Sequence, residues 1–313
     1  MGAALRRHLS PDRFRVSVVT RNPLSSDDIE WDGNTLGPWV SSLESADVVI
    51  NLAGRRVHCR YNKENLQEMM DSRVDSARVI GEAIAACKNP PAVWLQASTA
   101  TIYAHTFGPP NDEAAGVIGG GEPGAPEVWN YSIKIAKSWE TELERAQTPR
   151  TRKVAMRTAI MMGIDRDSAF DIFSRLARVG LGGKLGSGGQ YVSWIHELDL
   201  ARAVEFLIES ELSGPVNISS PNPLSQAEFA RGLREAWGVP IGLPAAPWMV
   251  SLGAWVLNGD SELVMKSRRV IPTRLSEAGF ELRFPNWPEA ARDLVKTMRG
   301  GRTSSRDRDH PGA

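Results

Sequence analysis

The chain has 313 residues, 42% of them hydrophobic, which is enough for one large domain or two smaller ones with a real core. Basic and acidic residues balance at 37 each, so there is no electrostatic reason to expect nucleic acid or a membrane as partner. The 2 cysteines exclude a disulfide framework. Without a signal-peptide pattern or an apolar run of membrane length, we expect a cytoplasmic protein, and a homo-oligomer stays open.

Strand-like apolar runs alternate with segments of helical periodicity as far as about residue 220. Strands are predicted within residues 14–20, 48–50, 92–97, 154–157 and 216–218, and helices over residues 3–9, 62–87, 128–146 and 198–208. Because the strands are apolar on both faces, we expect an α/β protein with a doubly wound parallel sheet of the Rossmann type. We assign residues 1–220 to this domain, residues 221–299 to a smaller C-terminal lobe, and residues 300–313 to a disordered tail.

Ligands of such sheets bind beyond the carboxyl ends of the strands, and the first strand ends in Arg21 and Asn22. In dinucleotide folds an acidic residue near this point binds the ribose 2′-hydroxyl, whereas an arginine pairs with a 2′-phosphate. Arg21 therefore favours NADP over NAD. The alternative is that Arg21 is an ordinary surface charge at a strand end.

Two further strand ends carry candidate site residues. The second strand runs into Asn51, Leu52, Ala53 and Gly54, where small side chains would let a flat cofactor pass close to the backbone. The strand over residues 92–97 is followed by Ser98, Thr99 and, slightly later, Tyr103, whose hydroxyls could bind a substrate carbonyl or alcohol. The alternatives are an ordinary turn after Asn51 and hydroxyls that cap the turn after the strand.

Two other features indicate no additional site. Residues 180–189 (GLGGKLGSGG) follow no strand and open no helix, so they do not form a phosphate loop. His196 has no partner at metal-ligand spacing, so we interpret it as a structural histidine and predict no metal.

Taken in order, these segments resemble the extended short-chain dehydrogenase/reductases. The closer resemblance is to their atypical epimerase-family branch, which carries a C-terminal domain of unknown function (DUF1731). The matching segments are VVTRNP (18–23), DVVINLAG (47–54), DSRVDSARVIGEAI (71–84), QASTATIY (96–103), SWIHELDLARA (193–203) and, most distinctive, SRRVIPTRLSEAGFELRFP (267–285).

The resemblance implies a Rossmann-type domain that binds NADP and a lobe that covers a cleft for a small-molecule substrate, of the sugar or nucleotide-sugar kind. Arg21 would meet the 2′-phosphate, and Asp32 would lie near the adenine. Leu52, Ala53 and Gly54 would line the centre of the cofactor. The resemblance also implies that Thr99 takes the family's catalytic Ser/Thr position.

The chain departs from the family pattern at its start. The opening Met1-Gly2-Ala3 resembles the last glycine of the family's phosphate loop, so we expect that the first strand and two earlier glycines are missing and that Gly2 remains as a cofactor residue. Without the earlier glycines, the pyrophosphate would lack part of its backbone cradle.

The catalytic Tyr-x-x-x-Lys pair is also absent. Alignment on Trp139 and Glu140 puts Ser132 and Ala136 at its positions, while Tyr131, three residues before Lys134, offers a shifted pair. The catalytic candidates are Thr99, Tyr103 and Tyr131. Three hypotheses follow: an NADP-dependent oxidoreductase or epimerase, a cofactor-binding protein without turnover, and a truncated product that does not bind cofactor.

Overall fold

The computed structural model describes residues 1–57, 59–122, 126, 128–246 and 262–306. The strands are β1 Val19–Thr20, β2 Ile29–Glu30, β3 Val48–Asn51, β4 Val93–Thr99, β5 Arg152–Thr158, β6 Ile160–Met162, β7 Tyr191–Val192, β8 Trp194–His196, β9 Gly214–Ile218 and β10 Leu224–Ser225. The helices are α1 Gly2–His8, α2 Lys63–Ala86, α3 Trp129–Arg145, α4 Ala169–Arg178, α5 Glu197–Glu209, α6 Gln226–Trp237, α7 Glu262–Met265, α8 Thr273–Glu277 and α9 Trp287–Arg306. Short 3-10 helices span Pro38–Leu43 and Ala100–Ile102.

The central sheet contains four parallel strands in the order β3-β4-β5-β9. Successive side chains of a strand point to opposite faces, so Trp94 packs with the α2 and α3 side while Leu95 packs with the α5 side. The side chains of β5 alternate in the same way, with Ala155 on the α2 and α3 side and Val154 on the α5 side. Helices therefore cover both faces, and the predicted doubly wound parallel fold is confirmed.

The strand predicted over residues 14–20 is mostly wrong, because only Val19 and Thr20 form β1. A strand needs a neighbour to bond its backbone, and β1 pairs only with the two-residue β2. Within the described residues, β1 and β2 form a sheet of their own, separate from the central sheet. Residues 14–18 consequently run outside any strand, and Val16 is exposed.

The C-terminal lobe has its own aromatic core. Trp287 opens α9 and stacks on Phe229 of α6, with ring centroids 4.1 Å apart, while Trp194 of β8 meets Trp287 edge-on at 5.1 Å. Phe170 of α4 joins the same core. The lobe that the sequence divides off at residue 221 thus shares its core with residues that precede that point.

The lobe is also joined to the sheet domain by a strip of hydrogen bonds between residues 105–111 and residues 267–271. The Ser267 N–H donates to His105 Nδ1 at 2.8 Å, and its hydroxyl donates to the Thr106 carbonyl at 2.5 Å. Asn111 donates to the Arg269 carbonyl at 2.7 Å and accepts from Ile271 N–H at 3.0 Å. We call this set of contacts the lobe strip.

A buried ion pair connects α3 to the sheet beneath it. Arg157 of β5 bonds Glu140 of α3 through both Nε and Nη2, at 2.9 and 2.7 Å, and both side chains are buried. Arg157 Nη1 also donates to the Tyr103 hydroxyl at 3.0 Å, which in turn donates to Asn217 of β9 at 2.9 Å. Burial lowers the pKa of Arg157, but the Glu140 carboxylate more than offsets this, so the pKa is raised and the pair stays charged.

The disordered tail predicted over residues 300–313 differs from the structure at residues 300–306, which are helical. α9 continues through Arg306, and residues 307–313 lie outside the described part of the chain. The reason is that residues 287–298 already pack into the lobe core, and a helix that is nucleated extends by one hydrogen bond per residue. Within the described residues, no helix has the length and apolarity needed to span a bilayer.

Replacing Arg157 by Met should lower the free energy of unfolding by about 3–5 kcal/mol, because Glu140 would be left as an uncompensated buried charge. The double variant Arg157→Met/Glu140→Leu should recover most of that loss, since it removes the charge as well. The measurement is urea denaturation followed by circular dichroism. The exposed pair Arg78 and Glu82, replaced by Met and Leu, is the control and should change stability by less than about 0.5 kcal/mol. Equal losses in the single and double Arg157 variants would contradict this explanation.

Candidate functional site

The turn after β1 presents an exposed arginine at the carboxyl end of that strand. Arg21 and Asn22 are both exposed, and the Asn22 N–H donates to the Thr20 hydroxyl at 3.3 Å. A Cβ on Gly33 would lie 3.8 Å from Arg21 Cδ, so the arginine stem lies beside the turn that contains Gly33. That turn needs glycine, because Gly33 has a φ of +86°. Arg21 has no carboxylate partner among the described residues.

Asp32 shapes the same turn. Its carboxylate accepts hydrogen bonds from the Thr35 hydroxyl at 2.5 Å and from the Asn34 and Thr35 N–H groups at 2.8 Å. These bonds, that of the Thr35 hydroxyl first, lower the pKa of Asp32. The structure therefore brings Asp32 and Arg21 to one turn region, and the expected contact of Asp32 with adenine stays a prediction.

The turn after β3 is fixed by the buried side chain of Asn51. Its Oδ1 accepts from the Ala53 N–H at 2.9 Å, and its Nδ2 donates to Gln96 Oε1 at 2.9 Å. Leu52 and Ala53 are partly buried and Gly54 is exposed. Gly2 opens α1 close by, since a Cβ on it would lie 3.9 Å from Leu52 Cδ1. The structure thus brings together the residues expected to line the centre of a cofactor.

The two hydroxyl candidates after β4 have different surroundings. Thr99 ends β4 partly buried, and its hydroxyl oxygen accepts the Thr101 N–H at 3.2 Å, while no described residue accepts its own proton. Tyr103, in contrast, is 2% exposed, and its hydroxyl belongs to the buried network of Arg157 and Asn217. These two buried partners occupy the Tyr103 hydroxyl, whereas that of Thr99 has a single backbone partner, and the role of Tyr103 in the site stays a prediction.

The residues of the shifted pair, Tyr131 and Lys134, do not face the interior of the protein. Tyr131 is 47% exposed, Lys134 is exposed, and within the described part of the chain no side-chain hydrogen bond joins Tyr131 to Lys134 or Thr99. The inward positions are Ser132 and Ala136, as the alignment on Glu140 expects. Ala136 is fully buried in an apolar cluster. The structure thus does not bring Tyr131 to the other catalytic candidates.

Charged residues of the C-terminal lobe occupy the neighbourhood of Ser132. The Ser132 hydroxyl donates to Glu262 Oε2 at 2.5 Å, and Lys266 Nζ donates to the Thr101 carbonyl at 3.1 Å. Lys266 Nζ lies 3.8 Å from Glu262 Oε1, and both side chains are completely buried. Arg268 Nε completes the group with a bond of 3.2 Å to the Thr101 hydroxyl. We call these lobe residues, Glu262, Lys266 and Arg268, the charged cluster.

Sequence reasoning missed the charged cluster. The available signal was the i,i+4 spacing of Glu262 and Lys266, which on most helices marks an exposed ion pair rather than a buried one. Burial, and after it the nearby Arg268, lower the pKa of Lys266 while Glu262 acts in the opposite direction, and the net result is a pKa of about 8. A lysine beside the Thr99 turn can therefore exchange a proton near neutral pH.

His196 has a structural role. Its Nδ1 caps α5 by accepting the Leu198 N–H at 3.1 Å, and its ring stacks on Phe284 at 4.2 Å. Within the described residues, no group of three or more His, Cys, Asp or Glu side chains is arranged to hold a metal ion.

Two family profiles match the sequence of this chain. The sequence profile of the NAD dependent epimerase/dehydratase family matches residues 1–219, and that of a domain of unknown function, DUF1731, matches residues 247–294. The chain belongs to the NAD-dependent epimerase/dehydratase family. The resemblance predicted from the sequence, with its C-terminal domain, is confirmed.

Individual members of the family match over nearly the whole chain. The epimerase family protein SDR39U1 of Bos taurus is 28% identical over 302 residues, covering 94% of this chain and 96% of its own. An epimerase family protein of Staphylococcus aureus strain N315 is 28% identical over 301 residues, covering 95% and 96%. The crystal structure of human SDR39U1 (isoform2) with NADPH superposes with a TM-score of 0.82 at 26% identity, covering 94% of this chain and 95% of that one.

A more distant structure shares the fold alone. The UDP-N-acetylglucosamine 4-epimerase from Bacillus cereus has a TM-score of 0.70 at 18% identity, covering 96% of this chain and 95% of that one.

The residues at the carboxyl edge fit the family's dinucleotide. Arg21 supplies a cation to which no described residue brings a carboxylate, and Gly2 adds no side chain beside Leu52. A Cβ on Gly54 would be in tight contact with the Arg73 side chain, 3.2 Å from its Cζ, so glycine fits this turn without displacing Arg73. That Arg21, Asn22, Leu52, Ala53 and Gly54 hold the cofactor stays a prediction.

The lowered pKa of Lys266 predicts a pH dependence of stability. Between pH 8 and the unfolded value of 10.5 the unfolded chain binds more protons than the folded one, so the free energy of unfolding rises with pH. Relative to Lys266→Met, the parent should gain about 2 kcal/mol between pH 7.5 and 9.5. Urea denaturation at both pH values measures this difference. The exposed Lys137→Met, which retains Lys266, is the control: relative to it the parent should gain almost nothing between these pH values, and an equally large gain relative to both variants would contradict the assignment.

Proposed function

We propose that this protein is an NADP-dependent enzyme of the oxidoreductase or epimerase type, acting on a small molecule with an alcohol or carbonyl group. The observation that carries this proposal is Arg21, an exposed cation without a carboxylate partner in the described residues, at the strand end where a 2′-phosphate would be recognised. The human SDR39U1 structure, which holds NADPH, supports the same cofactor. The free thiols of Cys59 and Cys87 are consistent with a reducing compartment, and we propose the cytoplasm.

Thr99 is the residue that we propose to act on the substrate. Its hydroxyl can donate to a carbonyl oxygen and stabilise the charge that develops there, while the bound cofactor supplies or accepts the hydride. The Thr101 N–H that donates to the Thr99 oxygen makes the Thr99 proton a better donor. Lys266 lies at the same turn and can exchange protons near neutral pH.

The substrate class that we propose is a sugar or nucleotide sugar. Several solved structures of this fold are named for enzymes of UDP-sugars, among them the epimerase from Bacillus cereus. At these low identities the likeness concerns the fold, so this part of the proposal rests on the fold alone.

The second candidate function is cofactor binding without turnover. It is favoured by the residues found at the two positions of the family's catalytic Tyr and Lys, which are Ser132 and Ala136 here. The Ser132 hydroxyl donates a hydrogen bond to Glu262, and Ala136 is buried in a cluster with Val270 and other apolar residues. Neither side chain can lower the pKa of a tyrosine or supply its proton, so the usual hydride chemistry would need another acid or base.

Nucleotide choice tests the first proposal. Replacing Arg21 by Asp should weaken NADPH binding by at least about tenfold and leave NADH binding nearly unchanged, because an attraction to the 2′-phosphate becomes a repulsion. Titration of each nucleotide by its fluorescence measures this. Arg15→Asp, an equal charge change at an exposed position, is the control. If both nucleotides bind the Arg21 variant as they bind the parent, Arg21 is a surface charge and the NADP assignment is wrong.

Turnover separates the two candidate functions. With a panel of carbonyl compounds and nucleotide sugars, we expect the parent to oxidise NADPH with at least one member of the panel. Thr99→Val should reduce the rate by about 10²-fold, the usual cost of losing one donor to a developing oxyanion. Tyr131→Phe should retain most of the rate, because Tyr131 is almost half exposed. Tight NADPH binding without any turnover would favour the second candidate, and a large loss in Tyr131→Phe would restore the shifted pair.

A further inference from the structure

The hydroxyl of Ser132 on α3 connects the exterior of the protein to a buried carboxylate. Ser132 is partly exposed, and its Oγ donates to Glu262 Oε2 at 2.5 Å. The Glu262 side chain, in contrast, is completely buried. Hydrogen bonds between a hydroxyl and a carboxylate are short and strong because one partner is ionised. Through Ser132, a bound molecule can therefore exchange a proton with a group that it cannot itself reach.

The same face of α3 lies over the turn that follows Thr99. Ala136, which is one helical turn after Ser132, packs in a buried cluster with Ala100 and Ile102 of that turn. Because β4 ends at Thr99, this turn stands at the carboxyl end of the central sheet, where ligands of parallel sheets bind. Ser132 and Thr99 are thus two partly exposed hydroxyls that border one region.

The charged cluster joins these two hydroxyls by polar contacts. Arg268 Nη2 lies 3.6 Å from Glu262 Oε1, and Arg268 Nε donates to the Thr101 hydroxyl at 3.2 Å. The Thr101 N–H in turn donates to the Thr99 oxygen at 3.2 Å. A chain of contacts therefore runs from Thr99 through the interior to Glu262 and on to Ser132.

The charge of Glu262 is compensated inside the protein. Lys266 Nζ and Arg268 Nη2 lie 3.8 and 3.6 Å from its Oε1, while its Oε2 accepts the Ser132 hydroxyl. A buried carboxylate is tolerated when cations and hydrogen-bond donors accompany it in this way. Burial, and after it Arg268, lower the pKa of Lys266, and the net value is about 8. The charged cluster can therefore take up or release a proton near neutral pH.

Hydride chemistry needs a proton path at this place. When an alcohol is oxidised, the C–H hydride passes to the bound cofactor while the O–H proton leaves the same molecule. The proton of the substrate hydroxyl can pass to Ser132 Oγ as the proton of Ser132 passes to Glu262 Oε2. Ser132 ends as it began, the carboxylate of Glu262 ends protonated, and the substrate becomes a carbonyl compound. Reduction of a carbonyl follows the same path in reverse.

We propose that Ser132 and Glu262 form the proton relay of this enzyme, in which Ser132 contacts the substrate oxygen and Glu262 accepts or returns the proton through it. This inference rests on the proposed function, since it requires that hydride transfer takes place. Thr99 then supplies the second hydroxyl at the same substrate oxygen. The C-terminal lobe, which carries Glu262, acquires a part in the chemistry besides its part in covering the cleft.

The same hydrogen bond could serve only to hold the lobe on α3, and conservative substitutions separate these roles. Glu262→Gln keeps an oxygen that accepts the Ser132 hydrogen bond, but an amide takes up no proton at neutral pH. Ser132→Ala removes the hydroxyl, whereas Ser132→Thr keeps it. A purely structural contact would tolerate Glu262→Gln, whereas a proton relay would not. Glu277→Gln, at an exposed carboxylate on α8 of the lobe, is the matched control.

The experiment is to measure kcat and KM for a carbonyl compound that the parent reduces, together with the NADPH affinity and melting temperature of each variant. We expect Glu262→Gln and Ser132→Ala to lower kcat by about 10²-fold or more, the usual contribution of a positioned acid or base. KM and the NADPH affinity should change by less than about threefold, because the relay acts on the chemical step. Ser132→Thr should keep most of the rate, and Glu277→Gln should match the parent.

Each other outcome has a defined meaning. A kcat of Glu262→Gln within about threefold of the parent overturns the inference and leaves the proposed function in place. Equal losses in Ser132→Thr and Ser132→Ala assign the contact to the structure alone and also overturn it. If Glu262→Gln does not fold, Ser132→Ala decides, and a rate near that of the parent overturns the inference. Absence of turnover by the parent with every member of the panel refutes the proposed function, and the inference falls with it.

Discussion

The bonding of Glu140 to Arg157 is the constraint on which the arrangement of this protein depends. Two charges buried between α3 and β5 stabilise the fold only when they face each other with good geometry, so the pair fixes how α3 lies on the sheet. With α3 fixed, Ser132 and Ala136 point inward and Tyr131 outward. The pair also recruits the Tyr103 hydroxyl, which leaves Thr99 as the hydroxyl of that strand end with a proton available to a ligand.

The fold was largely predictable because its strands and helices are marked locally. Continuous apolar runs predicted β4 and β9, and the 3.6-residue apolar period predicted α2. Residues 14–18 have the same composition as a strand, but strand formation depends on a neighbour, which no local pattern reports. The extension of α9 to Arg306 depends likewise on the packing of its first turns.

The candidate site was predictable only where it follows a strand end. Arg21, Leu52, Ala53, Gly54 and Thr99 each follow or end a strand, and the general rule for parallel sheets locates them. The role of Tyr103 was not predictable, because its partners Arg157 and Asn217 come from strands far away in the sequence.

Residues that depend on the lobe were hidden from the sequence for the same reason. Lys266 reaches the Thr101 carbonyl across more than half of the chain, and nothing in its neighbours marks it as buried. Glu262 and Arg268 likewise reach Ser132 and the Thr101 hydroxyl from the lobe. Long-range electrostatics, rather than any local pattern, distinguishes these residues from the many charges on the surface.

The lobe strip has a consequence for how molecules enter and leave the cleft. Clefts of two-lobed enzymes commonly open by a hinge, with one lobe swinging away from the other. Here the segment after β4 is bonded to the lobe segment around Ser267 by several short hydrogen bonds. A rotation of the lobe would have to break all of them at once. This border of the candidate site is therefore fixed, and entry and exit of a ligand are expected to depend on rearrangement of other borders. The bonded amides of Thr106, Asn111, Ser267 and Ile271 are accordingly expected to exchange slowly with deuterium.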